Sequence, residues 1–172
     1  MPDQSAIQVG QKFRLKLSKP TAEQLKTFDT DKSVRDALTT AAKAIVFANS
    51  CDFNINKNLA DTNNKETGLA ATSKPTSYNV QIEASSFVHS FSVAETTRFT
   101  QQELAKLAIS EDVYCAIFGP ANLDASGIPQ FVAGVELYKI LVYIGNVSLG
   151  TPSHDLATAT VSLQSTSQLH IE

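Results

Sequence analysis

The side chains that could carry acid–base, nucleophilic or metal chemistry are few and far apart. Three histidines, His89, His154 and His170, stand at no metal-ligand spacing from one another or from a cysteine, so the pattern supports no zinc or catalytic metal site. Cys51 and Cys115 both lie in apolar, strand-like contexts, where a thiol behaves as a small hydrophobe. A disulfide between them is disfavoured in a reducing compartment. A Cys51–His89 dyad would need a neighbour that lowers the thiol pKa, and none is near in sequence. Gly119, Gly127, Gly134 and Gly145 are scattered through strand and turn contexts, so no glycine-rich phosphate loop is present. The reading is a protein that is not an enzyme and needs no cofactor, which leaves binding, scaffolding and self-assembly.

Composition narrows this further. A chain of 172 residues that is 42% hydrophobic buries a sizeable core and fits one domain, residues 1–172. The net charge of −3, with no block of like charges, lacks the basic footprint of a nucleic-acid binder, so any DNA contact is loose and non-specific. Met1-Pro2-Asp3-Gln4-Ser5 lacks the basic flank and apolar run of a signal peptide, and no apolar run is long enough to span a bilayer. The expectation is a soluble chain made in the cytosol.

The elements that must position any functional surface centre on residues 44–88. Residues 44–56 alternate Ile45, Phe47, Cys51, Phe53 and Ile55 with Asp52, Asn54 and Asn56, a period of two that predicts a half-buried strand. Residues 77–84 repeat the pattern, with Tyr78, Val80 and Ile82 against Ser77, Asn79, Gln81 and Glu83. Between them, residues 59–76 read as a long polar loop, too hydrophilic for a core and too long for a simple hairpin turn.

Around this pair, residues 9–17 alternate Phe13, Leu15 and Leu17 with Lys12, Arg14 and Lys16. That basic face is either a solvated strand face guarding a sheet edge or a positive strip that meets an acidic surface or a phosphate backbone. Residues 18–43 read as a helical insertion: a short piece over 21–28 and a longer one over 32–43, capped by Asp31 or Ser33, with Val34, Ala37, Leu38, Ala41 and Ala42 on one face. Residues 89–97 give a weak strand carrying Phe91 and Val93. Thr100-Gln101-Gln102-Glu103 is a capping box that starts a short helix with Leu104, Leu107 and Ala108 on its apolar face.

Residues 112–118 are apolar on both sides and predict a central strand stopped by Gly119-Pro120, with a turn through Asp124 to Pro129. Residues 131–149 predict one long strand kinked near Gly145. A turn at Pro152 leads to 156–171, where Ala157, Ala159, Val161 and Leu163 alternate with Thr158, Thr160, Ser162 and Gln164, closing a terminal antiparallel hairpin. The fold class is mainly β: an antiparallel sandwich or partial barrel with a flanking short helix and the N-terminal helical insertion.

The succession resembles the major tail protein, or tail tube protein, family of long-tailed bacteriophages. The resemblance is carried by Ala48-Asn49-Ser50-Cys51-Asp52-Phe53-Asn54-Ile55, by Asp61-Thr62-Asn63-Asn64-Lys65-Glu66-Thr67-Gly68, by Ser77-Tyr78-Asn79-Val80-Gln81-Ile82-Glu83, by the helix over 100–108 and by the closing segment 157–169. It implies a β-sandwich subunit that closes six-membered rings, which stack into the tail tube through which DNA leaves the virion. It further implies that loop 59–76, through Asp61, Asn63, Lys65, Glu66 and Lys74, reaches the next ring. The hydroxyl- and amide-rich faces Ser77, Asn79, Gln81, Glu83 and Thr158, Thr160, Ser162 would be either lumen wall or ordinary solvated sheet surface. Partners implied are further copies, tape-measure and tail-terminator or baseplate proteins, and passing DNA, with no membrane. The place implied is the virion tail, assembled in the host bacterial cytoplasm. An alternative from another class is a β-sandwich binding module for a carbohydrate or protein, with Tyr114, Tyr138 and Tyr143 as its aromatic platform.

Overall fold

The computed structural model describes residues 13–45, 48–62, 72–87, 98–126, 128–150 and 158–172. Nine strands form one antiparallel sheet: β1 (Phe13–Ser18), β2 (Lys43–Ala44), β3 (Ala48–Thr62), β4 (Thr72–Phe87), β5 (Val113–Leu123), β6 (Pro129–Phe131), β7 (Tyr138–Gly150), β8 (Thr158–Ser165) and β9 (His170–Ile171). The three helices are α1 (Ala22–Thr27), α2 (Lys32–Thr40) and α3 (Gln101–Ala108). The strand order is β2-β1-β5-β7-β8-β4-β3, with β6 added to β5 and β9 to β7. The sheet does not close, but it curls until Phe53 of β3 stacks on Phe118 of β5 and Tyr138 of β7, at ring-centroid distances of 5.3 and 5.1 Å. This is the partial barrel expected from the alternation.

The concave side holds the main core. Leu15 and Leu17 of β1, Val80 and Ile82 of β4, Ile140 and Val142 of β7, and Val161 and Leu163 of β8 meet there, with Leu104 and Leu107 of α3 against them. The capping box that begins α3 is present: Thr100 Oγ1 accepts from the Glu103 N–H at 3.2 Å, and Glu103 Oε2 accepts from the Thr100 N–H at 3.0 Å. Ala108, expected on the apolar face, is exposed.

β7 shows how sequence sets this geometry. Ile140, Val142 and Ile144 point inward, and then the ladder to β8 slips between Ile144 and Asn146. The extra residue, Gly145, shifts the alternation by one, so Val147 and Leu149 point inward in turn while Asn146 and Ser148 face out. The kink expected near Gly145 is this bulge. The long strand expected over 131–149 is instead two that run the same way along β5: β6 ends at Phe131, an excursion with Gly134 at φ 76° interrupts the pairing, and β7 begins at Tyr138.

Gly119-Pro120 does not stop β5, which runs on to Leu123. Pro120 lies beyond the β7 ladder, whose last pair is Phe118–Tyr138, so its missing N–H costs that ladder nothing. Its carbonyl accepts from the Val132 N–H at 3.1 Å.

A second layer covers only part of the convex side. Phe28 and Leu38 of the helical insertion pack on Cys115, Ile117 and Leu141. Asp31, as one of the two expected caps, accepts from the Ser33 N–H at 2.8 Å. The buried face of α2 differs from the expected one: Ala37 and Ala41 are exposed, whereas Arg35 is buried beside Leu38. Arg35 Nε donates to Glu172 Oε1 at 2.9 Å, and its Nη1 donates to the Phe28 carbonyl at 2.5 Å. Lys139, 3% exposed, donates to Asp36 Oδ1 at 2.8 Å and to Glu172 Oε2 at 3.2 Å. Two buried cations and two carboxylates thus fasten the helices to β7 and to the segment after β8. The hydrogen bond from Arg35 holds the Glu172 carboxyl below its ordinary range, and those from Lys139 and Lys32 bring Asp36 down to about 2.

The same layer changes the reading of the basic strand. Lys12 lies outside the described residues, while Arg14 and Lys16 are half-buried and do not form a wet strip. Their side of β1 is the side that the helices and β6 cover: Lys16 pairs in register with the core residue Ile117 and sits 5.1 Å over the Phe131 ring. Burial pushes its ammonium pKa down, against the opposing pull of Asp124.

Candidate functional site

On the convex side beyond the helices, no described helix covers β3, β4, β8 and the end of β7. Cross-strand partners share a face, so register fixes the composition of this surface. Along the β3–β4 ladder the outward pairs are Asp52–Glu83, Asn54–Gln81, Asn56–Asn79 and Asn58–Ser77. Along β4–β8 they are Glu83–Ser162, Gln81–Gln164 and Ser85–Thr160. Along β8–β7 they are Gln164–Tyr143, Ser162–Asn146, Thr160–Ser148 and Thr158–Gly150. The two polar faces singled out in the sequence, on 77–83 and 158–162, are therefore neighbours in one continuous surface, joined directly at Glu83–Ser162. Asn146 and Ser148 of β7 complete it, and sequence alternation missed them because the bulge at Gly145 reverses the phase.

The surface is made of amides and hydroxyls with two carboxylates. Asn58 Nδ2 donates to Ser77 Oγ at 2.9 Å, while the Asn56 amide donates to Gln81 at a longer 3.4 Å. Asp52 and Glu83 face each other as like charges, a pairing that a lone protein has no reason to favour. None of the outward pairs named here contains Lys or Arg. Such a surface offers hydrogen bonds, repels polyanions weakly and releases no counterions to a phosphate backbone.

The loop expected over 59–76 is shorter than its polarity suggested. β3 and β4 stay paired through Leu59–Pro75, Ala60–Lys74, Asp61–Ser73 and Thr62–Thr72, so Asp61 and Lys74 are strand residues near the end of a long arm. Asn63, Lys65 and Glu66 lie outside the described residues, as do 89–97, His89, His154 and the turn at Pro152. β8 accompanies β4 only from Gln81 to Phe87, leaving the outer part of the arm two strands wide. No described strand pairs the far edge of β3, which is the end of the sheet.

Among the described residues, those weighed for chemistry are used structurally. Burial pushes both the Cys51 and Cys115 thiols up to about 12, which removes their nucleophilic form at neutral pH. His170 pairs with Asp29 at 2.9 Å and stacks edge-on against Phe28. The three tyrosines form no platform: Tyr114 is buried, Tyr138 is half-buried in the aromatic stack, and Tyr143, 48% exposed, is on the opposite face of the sheet from Tyr114.

No protein-family model and no curated protein matches the sequence. Solved structures do match the fold. The tail of an empty gene transfer agent (GTA) particle, refined helically with C6 symmetry, aligns over 96% of this chain and 99% of its own at 11% identity and a TM-score of 0.57. The SPP1 tail tube, a hybrid solid-state NMR and cryo-EM structure, aligns over 95% of this chain and 79% of its own at 11% identity and a TM-score of 0.58. The six-fold symmetrised baseplate of the anti-feeding prophage aligns over 97% and 96% at 8% identity and a TM-score of 0.54.

Proposed function

We propose that this chain is the structural subunit of a phage-type tail tube: six copies close a ring, rings stack, and the uncovered polar face lines a lumen through which DNA passes. The fold, shared with assembled tail components, makes this arrangement available, but the observation that carries the reading is the face itself. It is continuous across four strands and rich in hydroxyls and amides, and from Asp52 to Asn58 along β3 and across to β7 none of its outward pairs contains a cation. A passing polyanion would find no cluster of cations to bind on these pairs.

The free edge supports assembly as well. β3 spans Ala48–Thr62 at the end of the sheet, and a long unpaired edge invites another strand; closure into a ring removes that liability. In this reading Asp61, Asn63, Lys65, Glu66 and Lys74, at and beyond the end of the β3–β4 arm, make contacts between rings. Tape-measure and terminator or baseplate proteins would be the further partners, in the virion tail, after assembly in the host cytoplasm. Electron microscopy of the purified protein at high concentration should show rings or hollow tubes. A protein that stays monomeric at every concentration and salt condition would overturn the proposal.

A further inference from the structure

Four of the large exposed apolar side chains gather at one end of the curled sheet. Ile55, Tyr78, Val135 and Ile171 are between 41 and 53% exposed. They surround the aromatic stack: Phe53, two residues before Ile55, lies on Tyr138, and Tyr138 pairs in register with Ile171. The Tyr78 hydroxyl accepts from the Leu169 N–H at 2.9 Å, which brings the base of the arm to the same place. Between Phe13, Tyr138, Val135 and Ile171 a pocket of about 380 Å³ opens to solvent, with Glu136 on its wall. The turn at Gly134 presents Val135 and Glu136 at the rim.

We infer that this pocket receives the arm of a second copy of the chain, Ile55 entering between Val135 and Ile171 and Lys57 pairing with Glu136. The inference rests on the assembly reading above and names one of its contacts. Three observations select a second copy as the occupant. Ile55 and Lys57 lie on one face of β3, opposite Val80 and Tyr78, so the arm carries an apolar knob followed by a cation. The pocket carries the complement, apolar walls with an anion, and among the described residues neither Lys57 nor Glu136 has an ion-pair partner. Knob and pocket are on one chain, so every copy offers both halves of the contact to another copy. Finally, two strands without further cover are marginal in water, and among the described residues no third strand pairs the outer part of the arm.

The charges give a test in trans. Lys57→Glu alone and Glu136→Lys alone should each raise the concentration needed for assembly about tenfold or more, while both keep the wild-type melting temperature, because both residues are exposed. An equimolar mixture should assemble close to the wild-type concentration, since alternating copies restore an opposite-charge pair at every contact. Single variants that assemble like wild type, or a mixture that fails as its components do, would overturn the inference and leave the tube proposal standing. Wild-type protein that never assembles would end both.

Discussion

At the residue scale, the most consequential side chains are the charges hidden under α2. Arg35 and Lys139 are 6 and 3% exposed, and Glu172 answers both. Removing one partner of a buried pair leaves an uncompensated charge, so Glu172→Ala should cost about 3–5 kcal/mol, measured by denaturant unfolding. Lys139→Met fills the same space without a charge and leaves Glu172 on Arg35; it should cost less than half as much. Acid should act on the same cluster. Asp36 and Glu172 have folded-state pKa values depressed below their ordinary ones, so their contribution is whole above the ordinary carboxylate range and is lost as pH falls through the folded values, from about 4 towards about 2. Asp36→Asn should lower the melting temperature at pH 7, where that contribution is whole, and so flatten its fall across the acid window. None of this was legible in the sequence. Helical spacing favoured Ala37 and Ala41 as the buried face, and an arginine three residues into a nine-residue helix reads as solvent-facing unless its distant partner is known. The same blindness made Arg14 and Lys16 look like a wet strip: alternation gives two faces but not which of them a separate layer will cover.

At the element scale, legibility followed the difference between the two faces of each strand. β8 and the inner half of β4 have one dry face and one wet face, and their alternation placed Val161, Leu163, Val80 and Ile82 correctly in the core. The outer arm bears Asp, Thr, Ser, Lys and Pro on 59–62 and 72–76, so period two loses its contrast and these strand ends read as loop. The β3–β4 arm should therefore be separable from the fold. Excising residues 63–70 should leave the melting temperature and single rings intact and abolish stacking, scored by counting rings against tubes in micrographs; unaffected tubes would remove the ring-to-ring role. Gly145 is the opposite case, one residue on which a whole strand end depends. Deleting it would turn Val147 and Leu149 to the wet face and put Asn146 and Ser148 in the core, so the deletion should abolish cooperative unfolding in a thermal melt. Gly145→Ala is the control. Its new methyl would meet nothing closer than the Ser162 carbonyl at 3.4 Å, and the cost should stay within about 1 kcal/mol.

At the scale of the molecule, the two convex regions differ in what they need. The region over Cys115, Ile117 and Leu141 is apolar and has its helices, whereas the region over β3, β4, β8 and the end of β7 is mainly polar and has none among the described residues. If the second region lines a lumen, its lack of cations is a functional property and can be reversed. Glu83 and Ser162 are register partners at its centre, and Glu83→Lys with Ser162→Lys would place about twelve lysines around a six-membered ring. Both positions face out of the core, and replacing Glu83 also relieves its like-charge opposition to Asp52, so folding and ring closure should survive. Phosphate neutralisation should then make the variant tubes retain short linear duplex DNA in a salt-dependent way that wild-type tubes do not, read by co-sedimentation at low and high salt. Linear duplex can enter an open tube end, and closed circular DNA cannot. Retention of linear DNA alone therefore puts the face inside the tube, whereas equal retention of both forms puts it outside and leaves the lumen wall to another surface of the subunit.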